Sequence, residues 1–310
     1  MNKEKKNSVL VTGAGSGIGK SCTEFLCQKG FIVYATDKDE RSLEQFQENS
    51  NITAIKMDVT SEKDIQDAAK FIKENGSDLY ALVNNAGVIK LGPLVEAPFE
   101  EIYDHINVNC LGPVRVTREF YPLLRESKGR IINISSLVAL SDMPFYGPYT
   151  MSKKAIESFS ETLRRELATS GVKVITLRLG GVQTAIWDKA IPVLDGAADE
   201  YPDSPFKPKM EALLEYLGIG KTSENGNKGA KSQVISPLTV SKAVYRAITA
   251  NKPKRMYVVA KRSQKLQIKF MTMLPMRLLD SIIAKLFQNK ILTCVADFLS
   301  GNLYTVSSVI

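Results

Sequence analysis

The stretch that decides the fold is SVLVTGAGSGIG, which occupies residues 8–19. Its first five residues have the short, β-branched composition of a buried strand, and the glycine-rich loop runs into a helical pattern beginning near Gly17. Gly13 permits a sharp turn, and Gly19 lets the helix pack closely. The N–H groups at the start of such a helix attract phosphate groups. The segment therefore predicts a dinucleotide cradle formed by Gly13, Gly15, Ser16, Gly17, Ile18 and Gly19.

Apolar runs of the same kind alternate with helical patterns along most of the chain. They lie at residues 8–12, 31–35, 52–56, 79–83, 130–134, 172–177 and 256–259, and two long helices are predicted near residues 98–124 and 146–169. Buried strands separated by helical segments are typical of an α/β fold with a parallel sheet. We expect a single Rossmann-type domain at residues 1–262, a doubly wound parallel sheet with helices on both faces. A helical C-terminal extension at residues 263–310 should follow it.

Three polar side chains form a candidate acid–base site. Tyr149 and Lys153 are four residues apart on the second long helix, so the phenol and the ammonium face the same way. The ammonium would favour the phenolate, which could then take a proton from an alcohol. Ser136 lies thirteen residues before Tyr149, near the end of a predicted strand. These residue types in this order predict proton transfer to or from a hydroxyl or carbonyl group.

Taken together, these motifs resemble the short-chain dehydrogenase/reductase family over residues 8 to about 262. The matching pieces are residues 12–19, 58–59, 84–87, 109, 135–136, 149–153 and 181–184. The resemblance implies that Tyr149 is the acid/base and that Lys153 is its electrostatic partner and ribose anchor. It also implies that Ser136 bonds the substrate oxygen and that Asn109 holds a water on a proton path. The family's spacing to the tyrosine, and the alternation of adjacent strand residues, favour Ser136 over Ser135.

The same resemblance implies a nicotinamide cofactor. Its predicted contacts, besides the glycine loop, are Asp58, Val59, Asn85, Ala86, Gly87, Tyr149, Lys153, Gly181, Val182 and Thr184. The family's proline before Gly181 is Gly180 here, which predicts a looser loop. Asp37 follows the second strand, where a carboxylate accepts hydrogen bonds from ribose hydroxyls and repels a 2′-phosphate. We therefore expect NAD rather than NADP, although the neighbouring Lys38 argues the other way.

The predicted substrate is a small hydrophobic alcohol or ketone, because the residues that flank the catalytic motifs are mostly apolar. The predicted pocket walls are Val88, Ile89, Leu91, Val138, Leu140, Met143, Phe145, Ile186 and Trp187, with Tyr216 and Leu217 in a lid at residues 185–236. The chain looks most like the steroid and retinol dehydrogenase branch. A 3-hydroxybutyrate dehydrogenase is the alternative substrate class, and a catalytically silent nucleotide sensor or scaffold is the alternative from another functional class. The family's use of the two long helices implies a homodimer or homotetramer.

Composition limits the other functions. The four cysteines have no metal-ligand spacing and the single histidine, His105, cannot build a metal site alone, so we expect none. We read His105 as an ordinary helix residue. No apolar run reaches the roughly 18 residues of a spanning helix, and the N-terminus lacks a signal-peptide core. The sequence therefore predicts a cytoplasmic protein in a reducing environment.

Positive charge is concentrated near the C-terminus. Residues 225–279 contain twelve Lys and Arg and no Asp or Glu, whereas the whole chain has a net charge of +8, so the rest is net acidic by four. The interpretations are a solvated basic face or attraction to an anionic membrane surface. An apolar stripe follows at Leu279, Ile282, Ile283, Leu286 and Phe287, which predicts core packing or a subunit contact, with peripheral membrane attachment as the second interpretation. Nucleic-acid binding is not expected, because the stretch lacks an aromatic platform and a recognisable module.

Overall fold

The computed structural model describes residues 7–75, 79–183, 198–216 and 234–288. Its core is a seven-stranded parallel sheet in the order β3-β2-β1-β4-β5-β6-β7. The strands are β1 Ser8–Thr12, β2 Ile32–Asp37, β3 Ile52–Lys56, β4 Leu79–Asn84, β5 Arg130–Ser136, β6 Lys173–Leu179 and β7 Met256–Val259. All the predicted strands are present, with ends that differ by two residues or fewer. The α/β fold predicted from the sequence is confirmed.

Helices connect the strands and cover both faces of the sheet. They are α1 Gly17–Gln28, α2 Glu62–Glu74, α3 Phe99–Ile106, α4 Gly112–Glu126, α5 Gly147–Glu166, α6 Lys207–Tyr216, α7 Pro237–Thr249, α8 Arg262–Met271 and α9 Met276–Gln288. Short 3-10 helices lie at Glu40–Phe46 and Leu137–Leu140. The first predicted long helix is divided, because a π-helical turn at Asn107–Leu111 separates α3 from α4.

Alternation along the strands creates one apolar core on each face. In β1, Val9 and Val11 belong to the cluster that includes Leu26 of α1 and Val244 of α7. Leu10, between them, belongs to the opposite cluster, which contains residues of α2 and α4. Successive strand residues point to opposite faces, so both sides of β1 are buried. This explains why the strand is a continuous apolar run in the sequence.

The order of the strands reverses between β1 and β4, which are hydrogen-bonded neighbours. Connections leave these two strands toward different sides, and a crevice forms beyond their carboxyl ends. The glycine loop follows β1, and residues 85–87 follow β4. The fold therefore brings two of the predicted cofactor-binding segments to the same crevice.

The C-terminal part adds two helices after β7. Met271 of α8 is buried, and Leu279, Ile282 and Ile283 of α9 are half-buried. The side chains of Leu286 and Phe287, and everything after residue 288, lie outside the described residues. Among the residues that are described, no helix combines the length and the apolar character needed to cross a membrane. The boundary proposed at residue 262 stays a prediction.

Candidate active site

The glycine loop is packed so closely that two of its glycines cannot carry a side chain. Gly13 has a φ of +65°, and a Cβ on it would lie 2.8 Å from the Cα of Ala86. A Cβ on Gly19 would overlap the carbonyl oxygen of Gly13. The close packing expected at Gly19 is therefore against the loop itself. Asn85 fixes this arrangement by donating from Nδ2 to the carbonyl oxygens of Thr12 at 2.9 Å and Gly13 at 3.1 Å.

The N-terminus of α1 suits an anionic group. Ser16 precedes the helix in an extended conformation and makes no side-chain cap hydrogen bond, and the first turn of α1 holds no acidic side chain. The first N–H groups of a helix lack partners within it and carry partial positive charge. The loop and the start of this helix therefore fit a pyrophosphate. Gly15, Gly17 and Ile18 lie where a phosphate would reach the N–H groups.

Asp37 closes the other end of the loop. It is the last residue of β2, and its Oδ2 accepts the N–H of Gly15 at 3.0 Å. Its Oδ1 accepts the N–H of Asp39 at 3.1 Å. Gln45, from the 3-10 helix, donates to the carbonyl oxygen of Gly15 at 2.9 Å. Each carboxylate oxygen can accept further hydrogen bonds, as a ribose requires. The role of Gln45 was missed because no motif in the sequence marks it.

The remaining predicted cofactor contacts lie around the same crevice. Asp58 follows β3, and its Oδ1 accepts from both the N–H and the hydroxyl of Thr60 at 2.8 Å. Val59 is buried, and Gly87 lies against Asn109, since a Cβ on Gly87 would be 3.1 Å from its Oδ1. Thr184 falls outside the described residues. The cofactor contacts of these residues stay predictions.

Residues 180–183, the described part of the segment after β6, are held by defined contacts, in contrast to the looser loop expected from Gly180. Val182 forms a parallel bridge with Ile235, and the N–H of Ile235 donates to the carbonyl oxygen of Gly181 at 2.9 Å. On the other side, a Cβ on Gly180 would overlap Oε1 of Gln264 and would lie 2.8 Å from the Cβ of Ala260. The glycine makes room for α8, and the helix replaces the restraint that a proline would have supplied.

Tyr149, Lys153 and Ser136 converge at the carboxyl end of β5. Tyr149 and Lys153 lie on the same side of α5, with the Lys153 Nζ 5.5 Å from the centre of the phenol ring. Lys153 is buried, and its Nζ donates to the carbonyl oxygen of Ile134 at 3.1 Å. Ser136 is the last residue of β5, and its hydroxyl accepts the N–H of Val138 at 3.3 Å and lies near enough to the Tyr149 phenol to oppose the increase in its pKa. The structure thus brings these three groups together, and their catalytic roles stay predictions.

The pKa values of this pair differ from the expectation. Burial raises the pKa of Tyr149 to about 12, and the hydrogen bond with Ser136 opposes that increase. Burial also lowers the pKa of Lys153 to about 8. The lowering of the tyrosine pKa was expected from Lys153 together with a positively charged nicotinamide ring, and without that ring the burial of the phenol has the larger effect. Desolvation of the phenol outweighs the ammonium, which is directed at the Ile134 carbonyl.

Asn109 lies in the π-helical turn and anchors the segment after β4. Its Nδ2 donates to the carbonyl oxygen of Val88 at 2.9 Å and to the Ser152 hydroxyl at 3.1 Å. Its Oδ1 accepts the N–H of Val88 at 2.8 Å. Since π-helical turns free backbone groups from the regular ladder, this turn is compatible with the predicted water site. The water-holding role itself stays a prediction.

The two adjacent serines have different surroundings, which supports the choice of Ser136. Ser135 is buried, and its hydroxyl donates to Oε1 of Glu157 at 2.7 Å. Glu157 is in turn bonded by Arg178 at 2.9 and 2.5 Å. Ser135 therefore belongs to an ion-paired group that Glu157 of α5 forms with Arg178 of β6. Glu157 and Arg178 carried no signal in the sequence, because they lie on different elements.

His105 has a larger part in the site than its helical position indicated. It is 2% exposed, and its ring lies edge-to-face with Tyr149 at 6.5 Å between centroids. Its Nε2 accepts the N–H of Lys90 at 3.0 Å, and its Nδ1 bonds the carbonyl oxygen of Glu101 at 2.6 Å. Burial lowers the pKa of His105. The ring is therefore neutral, with its proton on Nδ1.

An apolar cluster surrounds Tyr149. Five predicted wall residues belong to it, namely Ile89, Leu91, Val138, Met143 and Phe145. The described part of the predicted lid supplies Ala198, Tyr201, Phe206, Met210, Leu213 and Leu214. Val88 and Leu140 are partly exposed nearby in the chain, and Ile186, Trp187, Leu217 and the Tyr216 side chain lie outside the described residues. The lid function of residues 185–236 stays a prediction.

A partly exposed salt-bridge group connects Glu200, in the described part of the predicted lid, to Lys90 and Glu101. The Nζ of Lys90 lies 2.5 Å from Oε1 of Glu101 in α3 and 2.7 Å from Oε2 of Glu200.

No group of three or more His, Cys, Asp or Glu side chains within the described ranges is arranged to hold a metal ion.

Comparison with known proteins points to the same family as the motifs in the sequence. Residues 7–192 match the family model described as short chain dehydrogenase. Estradiol 17-beta-dehydrogenase 2 of Rattus norvegicus is 34% identical over 93% of this chain and 76% of its own length. The mitochondrial D-beta-hydroxybutyrate dehydrogenase of the same species is 28% identical over 89% of this chain and 83% of its own. A solved structure, the closed form of serine dehydrogenase complexed with NADP+, is 25% identical with a TM-score of 0.67, covering 83% of this chain and 96% of that one.

Proposed function

This chain belongs to the short-chain dehydrogenase family, whose members are oxidoreductases that use a nicotinamide cofactor on alcohol or carbonyl groups, and we propose that it interconverts a hydrophobic alcohol and its ketone with NAD. The observation that carries the proposal is the convergence of Ser136, Tyr149 and Lys153 beside an apolar cluster, at the carboxyl edge of the sheet.

In this proposal, Tyr149 holds and moves the substrate proton at its hydroxyl oxygen. Ser136 orients the substrate oxygen, since its hydroxyl lies near the phenol. A bound nicotinamide supplies the hydride acceptor or donor. Burial disfavours the phenolate, so the positive charges of Lys153 and of an oxidised nicotinamide ring would have to offset it. Asn109 would keep the π-helical turn in place and so position a water next to Lys153.

The apolar cluster supports a steroid-like or lipid-like substrate. Leu91, Phe145 and Met210 are buried together beside Tyr149, and apolar walls favour apolar ligands. The likeness to estradiol 17-beta-dehydrogenase 2 favours the same class. A hydroxyacid is the second candidate, favoured by the likeness to D-beta-hydroxybutyrate dehydrogenase. Its carboxylate needs a cation, and Lys90 is already paired with Glu101 and Glu200.

The preference for NAD rests on Asp37. Its carboxylate contacts the N–H of Gly15 at the ribose end of the glycine loop, so a 2′-phosphate there would meet negative charge. Ser42 also fills this end, since a Cβ on Gly15 would overlap its hydroxyl. The family includes NADP-binding proteins, which makes the cofactor ratio a necessary measurement.

A homodimer or homotetramer is part of the proposal. Phe99 and Tyr103 lie one turn apart on α3 with large exposed surfaces, and Met151 of α5 is also exposed. Clustered exposed apolar side chains of this size mark interaction surfaces. The neighbouring helices α3 and α5 would provide the subunit contact.

Replacement of the proposed acid/base tests the catalytic assignment. Tyr149→Phe should reduce turnover by about 10²–10⁴-fold, the usual contribution of a positioned acid or base, and should retain NAD binding. Turnover is measured by nicotinamide absorbance with steroids, retinols and hydroxyacids, and binding by calorimetry. The matched control is Ser135→Ala, which loses the bond to Glu157 and should lower stability while turnover stays near that of the wild type.

Two outcomes would contradict the proposal. If Tyr149→Phe turns over like the wild type, the acid/base is another group. If the wild-type chain binds NAD but turns over none of the panel, the silent sensor is favoured instead. Turnover of the hydroxyacids alone would replace the hydrophobic substrate class with the second candidate.

Replacement of Asp37 tests the cofactor assignment. The wild type should have a higher kcat/KM with NAD than with NADP, and Asp37→Ser should lower that ratio by about 10- to 100-fold, the effect of losing a charged hydrogen bond and a repulsion. Asp39→Ser removes an exposed carboxylate two residues away and should change the ratio little. A wild type that prefers NADP would overturn the assignment.

A further inference from the structure

Helix α8 exposes apolar side chains to solvent on one side, although Met271 on its other side is buried. Leu266 is 62% exposed and Met273, just after the helix, is 74% exposed. The polar residues Ser263, Gln264 and Gln267 are on the partly buried side. Exposed apolar side chains of this size, when they cluster, mark an interaction surface.

The same outer face is strongly basic. Arg262, Lys265 and Lys269 are exposed and follow the spacing of Leu266 and Met273, so they share one side of the helix. Met276 and Arg277, at the start of α9, add a further exposed apolar side chain and a further exposed basic one. Residues 261–279 contain five Lys and Arg and no Asp or Glu. We call the set Arg262, Lys265, Leu266, Lys269, Met273, Met276 and Arg277 the α8 surface.

The inner face attaches α8 firmly to the domain. Met271 is buried, and Gln264 contacts Gly180. The orientation of the helix is therefore fixed by the fold. The apolar side chains of the α8 surface cannot turn inward without breaking these contacts.

From these observations we propose that the α8 surface binds the interface of a lipid bilayer that contains anionic lipids. Apolar side chains inserted at the level of the headgroups, flanked by Lys and Arg that contact anionic headgroups, form the usual arrangement of peripheral membrane attachment. A second copy of the chain fits less well. A two-fold contact would bring Arg262, Lys265 and Lys269 against the same cations of the other copy.

Vesicle co-sedimentation of the full chain tests the proposal. The wild type should bind phosphatidylcholine vesicles that contain phosphatidylserine more tightly than vesicles of phosphatidylcholine alone, and salt should weaken the binding. Lys265→Gln/Lys269→Gln should weaken it by about fivefold for each cation removed. Leu266→Ser/Met273→Ser should weaken it by about tenfold or more, because apolar insertion is lost.

Matched controls use exposed residues of α2. Lys63→Gln/Lys70→Gln makes the same change in net charge, and Phe71→Ser removes an exposed apolar side chain. Both should bind vesicles like the wild type. Urea unfolding of each variant checks that the fold is retained. If Leu266→Ser/Met273→Ser unfolds, Lys265→Gln/Lys269→Gln still tests the proposal.

Three outcomes would overturn the proposal. The first is no preference for anionic vesicles. The second is equal loss of binding in the α2 controls, which would indicate a general effect of net charge. The third is a lower mass of the Leu266→Ser/Met273→Ser protein by light scattering without a change in vesicle binding, which would assign the surface to a second copy.

Discussion

At the residue scale, His105 links Tyr149, the proposed acid/base, to the segment after β4. One ring nitrogen accepts the N–H of Lys90, the other bonds the Glu101 carbonyl oxygen, and the ring edge contacts Tyr149. Protonation would remove the acceptor and place a charge near Lys153 in a buried region. The neutral ring therefore contributes to the position of both Tyr149 and the Val88–Lys90 backbone.

The lowered pKa of His105 predicts a stability change with pH. Below the ordinary value of 6.5 the unfolded chain takes up a proton that the folded chain resists, so stability should fall as pH decreases from 6.5 toward the lower folded pKa. The glutamine of His105→Gln takes up no proton in this pH range, so this variant lacks the pH-dependent loss of stability. The advantage of the wild type over this variant should shrink below pH 6.5, by at most about 1.4 kcal/mol per pH unit.

Urea unfolding between pH 5 and pH 8 measures this difference, and His105 is the only histidine in the sequence. Ser135→Ala, compared with the wild type in the same way, should give a difference that does not change over the upper part of this range. A constant difference between the wild type and His105→Gln throughout would show that the histidine is not kept neutral by the fold.

At this scale, residues fixed by local spacing were predictable and residues fixed by tertiary contact were not. Tyr149 and Lys153 share a helix, so their spacing alone placed them together. His105 became part of the site only because α3 packs against α5, which spacing along one helix does not reveal. The pKa of Tyr149 also depends on burial, which the sequence does not give directly.

At the element scale, Gly180 predicted a loose loop after β6, and the close contact between α8 and the end of β6 is the main difference from that prediction. Gly180→Ala would place a Cβ where Oε1 of Gln264 now lies, and overpacking of this kind costs about 1–3 kcal/mol of unfolding free energy. Gln264→Ala should relieve part of that cost. The double variant should therefore be more stable than the sum of the single effects by about 0.5–3 kcal/mol.

Chemical unfolding of the four proteins in this double-mutant cycle gives the coupling. Gly30→Ala is a useful comparison, since Gly30 has open space around it and a φ of +88°, so its cost is backbone strain and should be independent of Gln264. Strictly additive effects of Gly180→Ala and Gln264→Ala would mean that the two residues do not touch in solution.

The elements themselves were predictable where composition decides them. β1, β4 and β5 contain short apolar runs buried on both faces, so their positions followed from the sequence. The π-helical turn at Asn107–Leu111 was not predicted, because its distinguishing contacts are between the Asn109 side chain and the backbone of Val88. The spacing of apolar residues along a predicted helix does not reveal a turn of this kind.

At the scale of the whole molecule, two exposed apolar surfaces have different electrostatic surroundings. Phe99 and Tyr103 on α3 lie among the acidic residues Glu96, Glu100 and Asp104, whereas the α8 surface is basic. This matches the sequence, where the excess positive charge belongs to residues 225–279 and the remainder is net acidic. The two surfaces should therefore have different partners, a second subunit for α3 and an anionic membrane for α8.

The subunit contact gives the prediction at this scale. Phe99→Ser/Tyr103→Ser should weaken self-association by about 10²–10⁴-fold, because burial of each aromatic side chain contributes about 1.5–3 kcal/mol. Light scattering over a range of protein concentrations would then give a lower mass for this variant than for the wild type. Phe71→Ser, an exposed aromatic replacement on α2, should leave the mass unchanged. A monomeric wild type, or a variant that keeps the wild-type mass, would place the subunit contact elsewhere and leave the exposed face of α3 without this role.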